Sequence, residues 1–429
     1  MQASASNLKK TVSVLTEHIG LRLAGTEGEA KAARYLATQM AAYTPHVSIE
    51  EYPVFARCVS YEHLEVSLGG KWVEFPCSLF SSAASTHGKD VEGEIVFFDT
   101  ATGYKQPDIS YLKGKAVVHL GCHIESEENY RRLMEAAPAF ILFVDTRYPA
   151  EYALADGLFP AYVAKYGSVP SLNVAYKDAW RWNTEGATKA KINVVGERLK
   201  STTTVVIAEL PGTDPNAGVL YAGGHHDTQA ATVGADDNAI GSAAVLELTR
   251  LLSRTPHKRT LRLISFGAEE QLSVGSASYV RCHRAEIEKN GVFMCNFDSF
   301  GSAMGWGNFT VNANPSLREK IQQTFNADGV YYTENQKLVP YTDQFPFAAC
   351  GVPGIWVSRL NCAAGLFYHH RVDNTIDKIG FDLCAQYVGA AAKLLAFLAD
   401  TEDISAFTGI PVEMKPAIAE LFGAVFGGW

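Results

Sequence analysis

GGHHDTQAATVGADDNAIG, residues 223–241, gathers His225, His226, Asp227, Asp236 and Asp237 into one stretch of a chain that is only 19% charged. Before it, AGVLYAGG is a short continuous apolar run, the pattern of a buried strand. After it, IGSAAVLELTRLLSR repeats Val245, Leu248 and Leu252 at helical spacing. The stretch is therefore a polar loop between a strand and a helix. The same alternation continues outward. RTLRLISFGA and GVFMCNFDS are strands, PSLREKIQQTFNADG is a helix ending at Gly329, GIWVS is a short strand, and FDLCAQYVGAAAKLLAFLAD is a long closing helix. Strands alternating with helices of this length predict an α/β fold with a mixed, mostly parallel central sheet sandwiched by helices. Ligands bind such sheets outside the carboxyl ends of the strands.

Those strand ends carry the chain's acids and histidines. His225, His226 and Asp227 follow the first strand, Glu269 and Glu270 the second, and Asp298 the third. His369 lies in FYHHRVDNT, beyond GIWVS, and Asp236 and Asp237 stand at the mouth of the first helix. Taken singly, an Asp before a helix is usually an N-cap, and a buried His is a hydrogen-bonded core residue. Taken together, carboxylates converging on one cleft repel each other and hold on to protons. A cation relieves that repulsion, and imidazole nitrogens with carboxylate oxygens suit zinc. Five ligands exceed what one catalytic zinc takes. They fit two ions ~3.5–4 Å apart if one carboxylate bridges. The adjacent pair Glu269-Glu270 allows one side chain on metal and the other on water.

GGHHDT, GADDNAIGSAAVLE, FGAEEQLSVGSASYV, NFDSFGS, YTDQFPFAACGVPGIWV and YHHRVDNTIDKI resemble, in order, the motif series of the M28 family of zinc metallopeptidases. The resemblance implies two Zn²⁺ per chain, with other divalent metals able to substitute. His225 and Asp298 would hold one ion, Glu270 and His369 the other, and Asp237 would bridge them. It makes Glu269 the general base toward a zinc-bridging water, Asp227 the acid that orients His225, and Tyr368 a donor to the developing oxyanion. Asp236 becomes a cap or a solvated acid, and Asp373 a structural acid. The peptide bond after Asp237 is expected to be cis. His226 and His370, each beside a proposed ligand, are expected to face away. The implied activity is that of a metallo-aminopeptidase removing N-terminal residues. A carboxypeptidase, dipeptidase or small-amide hydrolase on the same site is the alternative, with Arg359 available to a substrate carboxylate. A non-catalytic binding protein on a peptidase scaffold is a further one.

Residues 54–189 read as a separate, strand-rich lobe. YLKGKAVVHLG, NYRRLMEAAPAFILFVD and VPSLNVAYKDAWRW resemble a protease-associated (PA) domain, implying an inserted lid between segments 1–53 and 190–429 of the catalytic domain. Thr26 and Glu29 have capping-box spacing at the start of a helix. The eight cysteines form no CxxC pair, and most sit among apolar neighbours as small buried hydrophobes, with disulfides still possible. The net charge of −9 disfavours nucleic acid as a partner. No run of about 18 apolar residues predicts a membrane span. The expected partner is a peptide or small amide. MQASASNLKKTVSVLTEHIG reads as an amphipathic helix and not a secretory leader, so with Met1 as the start the expected location is cytoplasmic.

Overall fold

Val219–His225, Gly291–Phe297 and Thr260–Phe266 are parallel neighbours, and almost every residue in them is buried. That is why they read as continuous apolar runs: helices cover both faces of a parallel sheet. The computed structural model describes residues 1–363 and 365–429. Its chain divides into two units. One comprises Met1–Val54, Ser201–His369 and Asp373–Trp429; the other comprises Phe55–Lys200 and His370–Val372.

In the first unit the strands run Tyr332–Asn335, Trp306–Asn312, Gly354–Leu360, Gly291–Phe297, Val219–His225, Thr260–Phe266, then the end of Lys189–Leu210. Trp306–Asn312 is antiparallel to Gly354–Leu360, and Thr260–Phe266 to Lys189–Leu210; the other pairs are parallel. The register sets Phe266 beside His225, so the segments leaving these two strands start side by side. Helix Ile240–Leu252 buries Val245, Leu248 and Leu252 against the sheet. Phe381–Asp400 is long and apolar enough by composition to cross a membrane, yet it packs into this core through Val388, Leu394, Leu395 and Leu398. It does not close the fold as expected, because a further helix, Lys415–Phe426, follows it.

The second unit has its own core and a parallel run of Val91–Asp99, Ala116–Leu120, Phe140–Val144 and Ser171–Val174. Helices Glu127–Glu135 and Tyr176–Thr184 belong to it, so it is α/β rather than simply strand-rich.

Two local expectations are corrected. Thr26 is the N-cap residue of Glu27–Met40, but its hydroxyl bonds Leu23 O and caps nothing. Glu29 instead reaches back to Gly25 N and across to Thr203 and Thr204. Of the cysteines, only Cys295, Cys350 and Cys384 are buried; all eight are free thiols.

Candidate metal centre

The strand Val219–His225 ends with the His225 side chain fully buried at the carboxyl edge. Its Nε2 lies 3.2 Å from Asp237 Oδ1, 3.5 Å from Asp298 Oδ1 and 3.7 Å from Glu269 Oε2. The second oxygen of Asp237 faces His369 Nε2 at 3.4 Å. Asp237 therefore stands between two imidazoles, one oxygen toward each. Ligand atoms of His225, Asp237 and Glu270 lie within 4.8 Å of one another, and so do those of His225, Glu269 and Asp298. All the expected ligands thus meet at one place. Both glutamates are in reach of His225, so position alone does not divide their roles.

The loop conformation explains how Asp237 gets there. Gly234 has φ 52°, and a Cβ on it would lie 2.1 Å from Asp237 O, so only glycine fits that turn. The Asp237–Asn238 peptide is cis. Asn238 then donates to Phe297 O at 2.8 Å and accepts from Gly241 N at 2.9 Å, tying the loop to the strand that delivers Asp298. Beyond the end of the neighbouring strand, Ala268, Leu272 and Ser273 all have positive φ around the short turn Glu269–Gln271. Left-handed non-glycine residues cost energy and persist where the surroundings impose them.

What imposes this turn is Asp227. Its two carboxylate oxygens accept from the backbone amides of Glu269 at 3.1 Å and Glu270 at 3.2 Å, while its Oδ1 lies 3.4 Å from His225 Nδ1. One carboxylate holds both glutamate amides and flanks the imidazole. Glu270 Oε1 accepts from Gln229 N, and Glu269 Oε1 from Ser273 Oγ.

His225, Asp227, Asp237, Glu269 and Asp298 are all buried. Burial, opposed by the charge of His225 and aided by the carboxylates of Asp298, Asp343 and Glu270, holds the Glu269 carboxyl well above the usual range, and burial raises Asp298 too. Burial would lower the His225 pKa, but the charges of Glu269 and Asp298 outweigh it and push it well up. Neither ring nitrogen of His225 makes a hydrogen bond of good geometry. A buried donor set of nitrogen and oxygen atoms at these spacings, with an imidazole left orphaned, fits a divalent cation such as zinc.

The neighbouring residues sort differently. His226 turns away, with Nδ1 3.0 Å from Ser265 Oγ and Nε2 3.3 Å from Thr204 Oγ1; burial depresses its pKa to about 3. His370 has φ 57°, and its Nδ1 is 3.9 Å from Asp156 in the second unit. Asp236 is neither a cap nor solvated: it is buried, accepts from Gly301 N at 2.6 Å, and burial raises it to about 7. Tyr368 is half-buried; its ring meets Phe367 edge-on at 5.3 Å. Arg359 is used by the fold, donating to Ser302 O, Gly305 O and Tyr387 Oη. Asp343, within the quoted YTDQFPF, went unassigned from sequence. It is fully buried, with both carboxylate oxygens unbonded among the described residues, and burial raises it to about 7. The signal was an acid inside an apolar segment.

Strand-end histidines and carboxylates meeting at the carboxyl edge of a helix-covered sheet are the arrangement expected of a metallohydrolase-type centre. Residues 205–392 match the profile of peptidase family M28, and the match together with the aminopeptidase relatives supports an enzyme. It is 27% identical over 429 residues to the probable lipoprotein aminopeptidase LpqL of Mycobacterium tuberculosis, covering 98% of this chain and 76% of that one. The structure of a peptidase M28 precursor from Shewanella amazonensis superposes with a TM-score of 0.81 at 20% identity, covering 95% of each chain. A zinc aminopeptidase from Bacillus subtilis gives 0.76 at 18%, covering 94% of this chain and 98% of that one. These comparisons overturn the cytoplasmic expectation, because a lipoprotein and a precursor point to secreted or envelope peptidases. That expectation rested on residues 1–20, and a leader or anchor is a separate segment about which a folded domain's first helix carries no information.

Proposed function

We propose that this enzyme is a two-zinc aminopeptidase. His225 and Asp298 would hold one ion, Glu270 and His369 the other, and Asp237 both. The observation that carries the reading is the placement of Asp237, with one carboxylate oxygen 3.2 Å from His225 and the other 3.4 Å from His369. Zinc bound there supplies Lewis acidity, polarising the scissile carbonyl and bringing the pKa of a water toward neutrality. Glu269, with its proton affinity raised by burial, accepts the proton of the attacking water and returns it to the leaving amine. Tyr368 donates to the developing oxyanion. Asp227 keeps His225 and both glutamates in place. The catalytic residues fall in segments 1–53 and 190–429, and residues 54–189 form a PA-like insertion; the separate core of the second unit supports that division.

The substrate reading, an N-terminal residue of a peptide, draws on the relatives named as aminopeptidases. It also draws on Arg359, whose donors the fold consumes, leaving that cation unavailable to a substrate C-terminus. Digestion of one peptide in three forms tests it: both ends free, N-acetylated, and C-amidated. Release of the first residue from the free and amidated forms, with the acetylated form resistant, is expected. Release of the last residue contradicts it.

A further inference from the structure

Arg22 is completely buried, yet its guanidinium makes no ion pair among the described residues. It donates to five main-chain carbonyls. Nε reaches His226 O at 2.7 Å, Nη1 reaches Val233 O at 2.8 Å, and Nη2 reaches Gly234 O at 3.2 Å. Nη1 also bonds Gly20 O at 2.9 Å and Leu15 O at 3.1 Å, in the segment that leads to it. Its own backbone exchanges two bonds with the middle of the same loop: Arg22 N donates to Thr228 Oγ1 at 3.1 Å, and Thr228 N donates to Arg22 O at 3.1 Å.

The gripped segment, residues 226–234, is the stretch between His225 and Asp237. Arg22 holds its first residue, its last two, and Thr228 next to Asp227. A planar group with five N–H donors spans both ends of a loop in a way that the three donors of a lysine ammonium do not. We infer that Arg22 is a positioning residue of the metal centre, which sets the separation of His225 and Asp237 by clamping the loop that joins them. The inference rests on the metal-site reading above. The charge fits the place as well. Burial brings Arg22 down to about 10, opposed by the carboxylates of Asp227, Glu270 and Asp237, so it is a cation at any working pH.

Arg259 supplies a matched control. It too is buried and, among the described residues, its side chain bonds only to carbonyls, those of Ala217, Leu398, Ala399 and Thr401, none of them near the metal ligands in the chain. Zinc affinity, measured by chelator competition on the full chain, and unfolding of the metal-free protein are compared for wild type, Arg22→Lys and Arg259→Lys. Both variants should lose metal-free stability. Only Arg22→Lys should bind zinc more weakly, on the order of 10–100-fold, as for other residues that orient ligands from behind. Equal zinc affinity in the two variants reduces Arg22 to a fold buckle and overturns the inference. If Arg22→Lys does not fold, Thr228→Val, which removes one bracket and keeps the charge, should still weaken zinc binding; an unchanged affinity there overturns it equally. Wild type that binds no zinc would instead sink the metal-site reading itself.

Discussion

Glu269 and Glu270 are adjacent, both amides are held by Asp227, and both carboxylates reach toward His225. Their proposed division into base and ligand is one that substitution reads. Glu270→Gln should lower zinc occupancy and activity together. Glu269→Gln should keep its zinc and lose ~10²–10⁴-fold in kcat, with a much smaller change in KM. Metal analysis beside steady-state kinetics checks both, and near-wild-type turnover in Glu269→Gln would remove it as the base. Asp227→Ala leaves two backbone amides without their acceptor and removes the carboxylate beside the His225 imidazole, so zinc affinity should fall by about 10–100-fold; chelator competition measures it. At this scale the ligand candidates were legible, because the strand ends carry chemistry that an apolar strand does not need. The supports were not. Asp227 was read as a partner of His225, and its hold on the two glutamate amides depends on a register between strands that local sequence does not state. Arg22 is an ordinary charged residue in the sequence, and only burial marks it.

Helix Glu27–Met40 shows the same division one level up. Ala33, Leu36, Ala37 and Met40 repeat at helical intervals in its sequence, and all but the partly exposed Ala37 are buried. Its first turn did not follow, since Glu29 leaves the capping box to bond Gly25, Thr203 and Thr204. Burial, with the charge of Asp227 adding to it, raises Glu29 to about 8. The sign of the consequence is definite. Below its ordinary value of 4.5 the carboxyl is protonated in both states. Between there and about 8 the unfolded chain gives up this proton while the folded one keeps it, so folding stability declines as pH rises. Glu29→Gln removes the titration. Urea unfolding of metal-free protein at several pH values should show wild-type stability falling, relative to the variant, across that interval; parallel curves contradict the assignment. Gly234→Ala belongs here too. Its Cβ would meet Asp237 O at 2.1 Å at a left-handed φ, so the loop must move, and both zinc affinity and melting temperature should drop.

For the whole molecule, the parallel sheet was readable because strands buried on both faces are apolar throughout, and helices between them show one apolar stripe. The late helix Lys415–Phe426 was missed because its sequence is apolar without a sharp stripe. Converging buried acids make the metal-free protein less stable than the loaded one. Chelation should therefore lower the melting temperature, and zinc at 100 times its Kd should restore about 2.7 kcal/mol; calorimetry before and after zinc addition checks this. The central claim is that five side chains, two of them from one strand-to-helix segment, hold two zinc ions through a shared aspartate. The most direct measurement is anomalous diffraction at the zinc edge from crystals of the zinc-loaded enzyme. Two peaks are predicted, one against His225 and Asp298, the other against Glu270 and His369, with Asp237 touching both. A single peak at full zinc loading, or an Asp237 that contacts only one ion, would contradict the account.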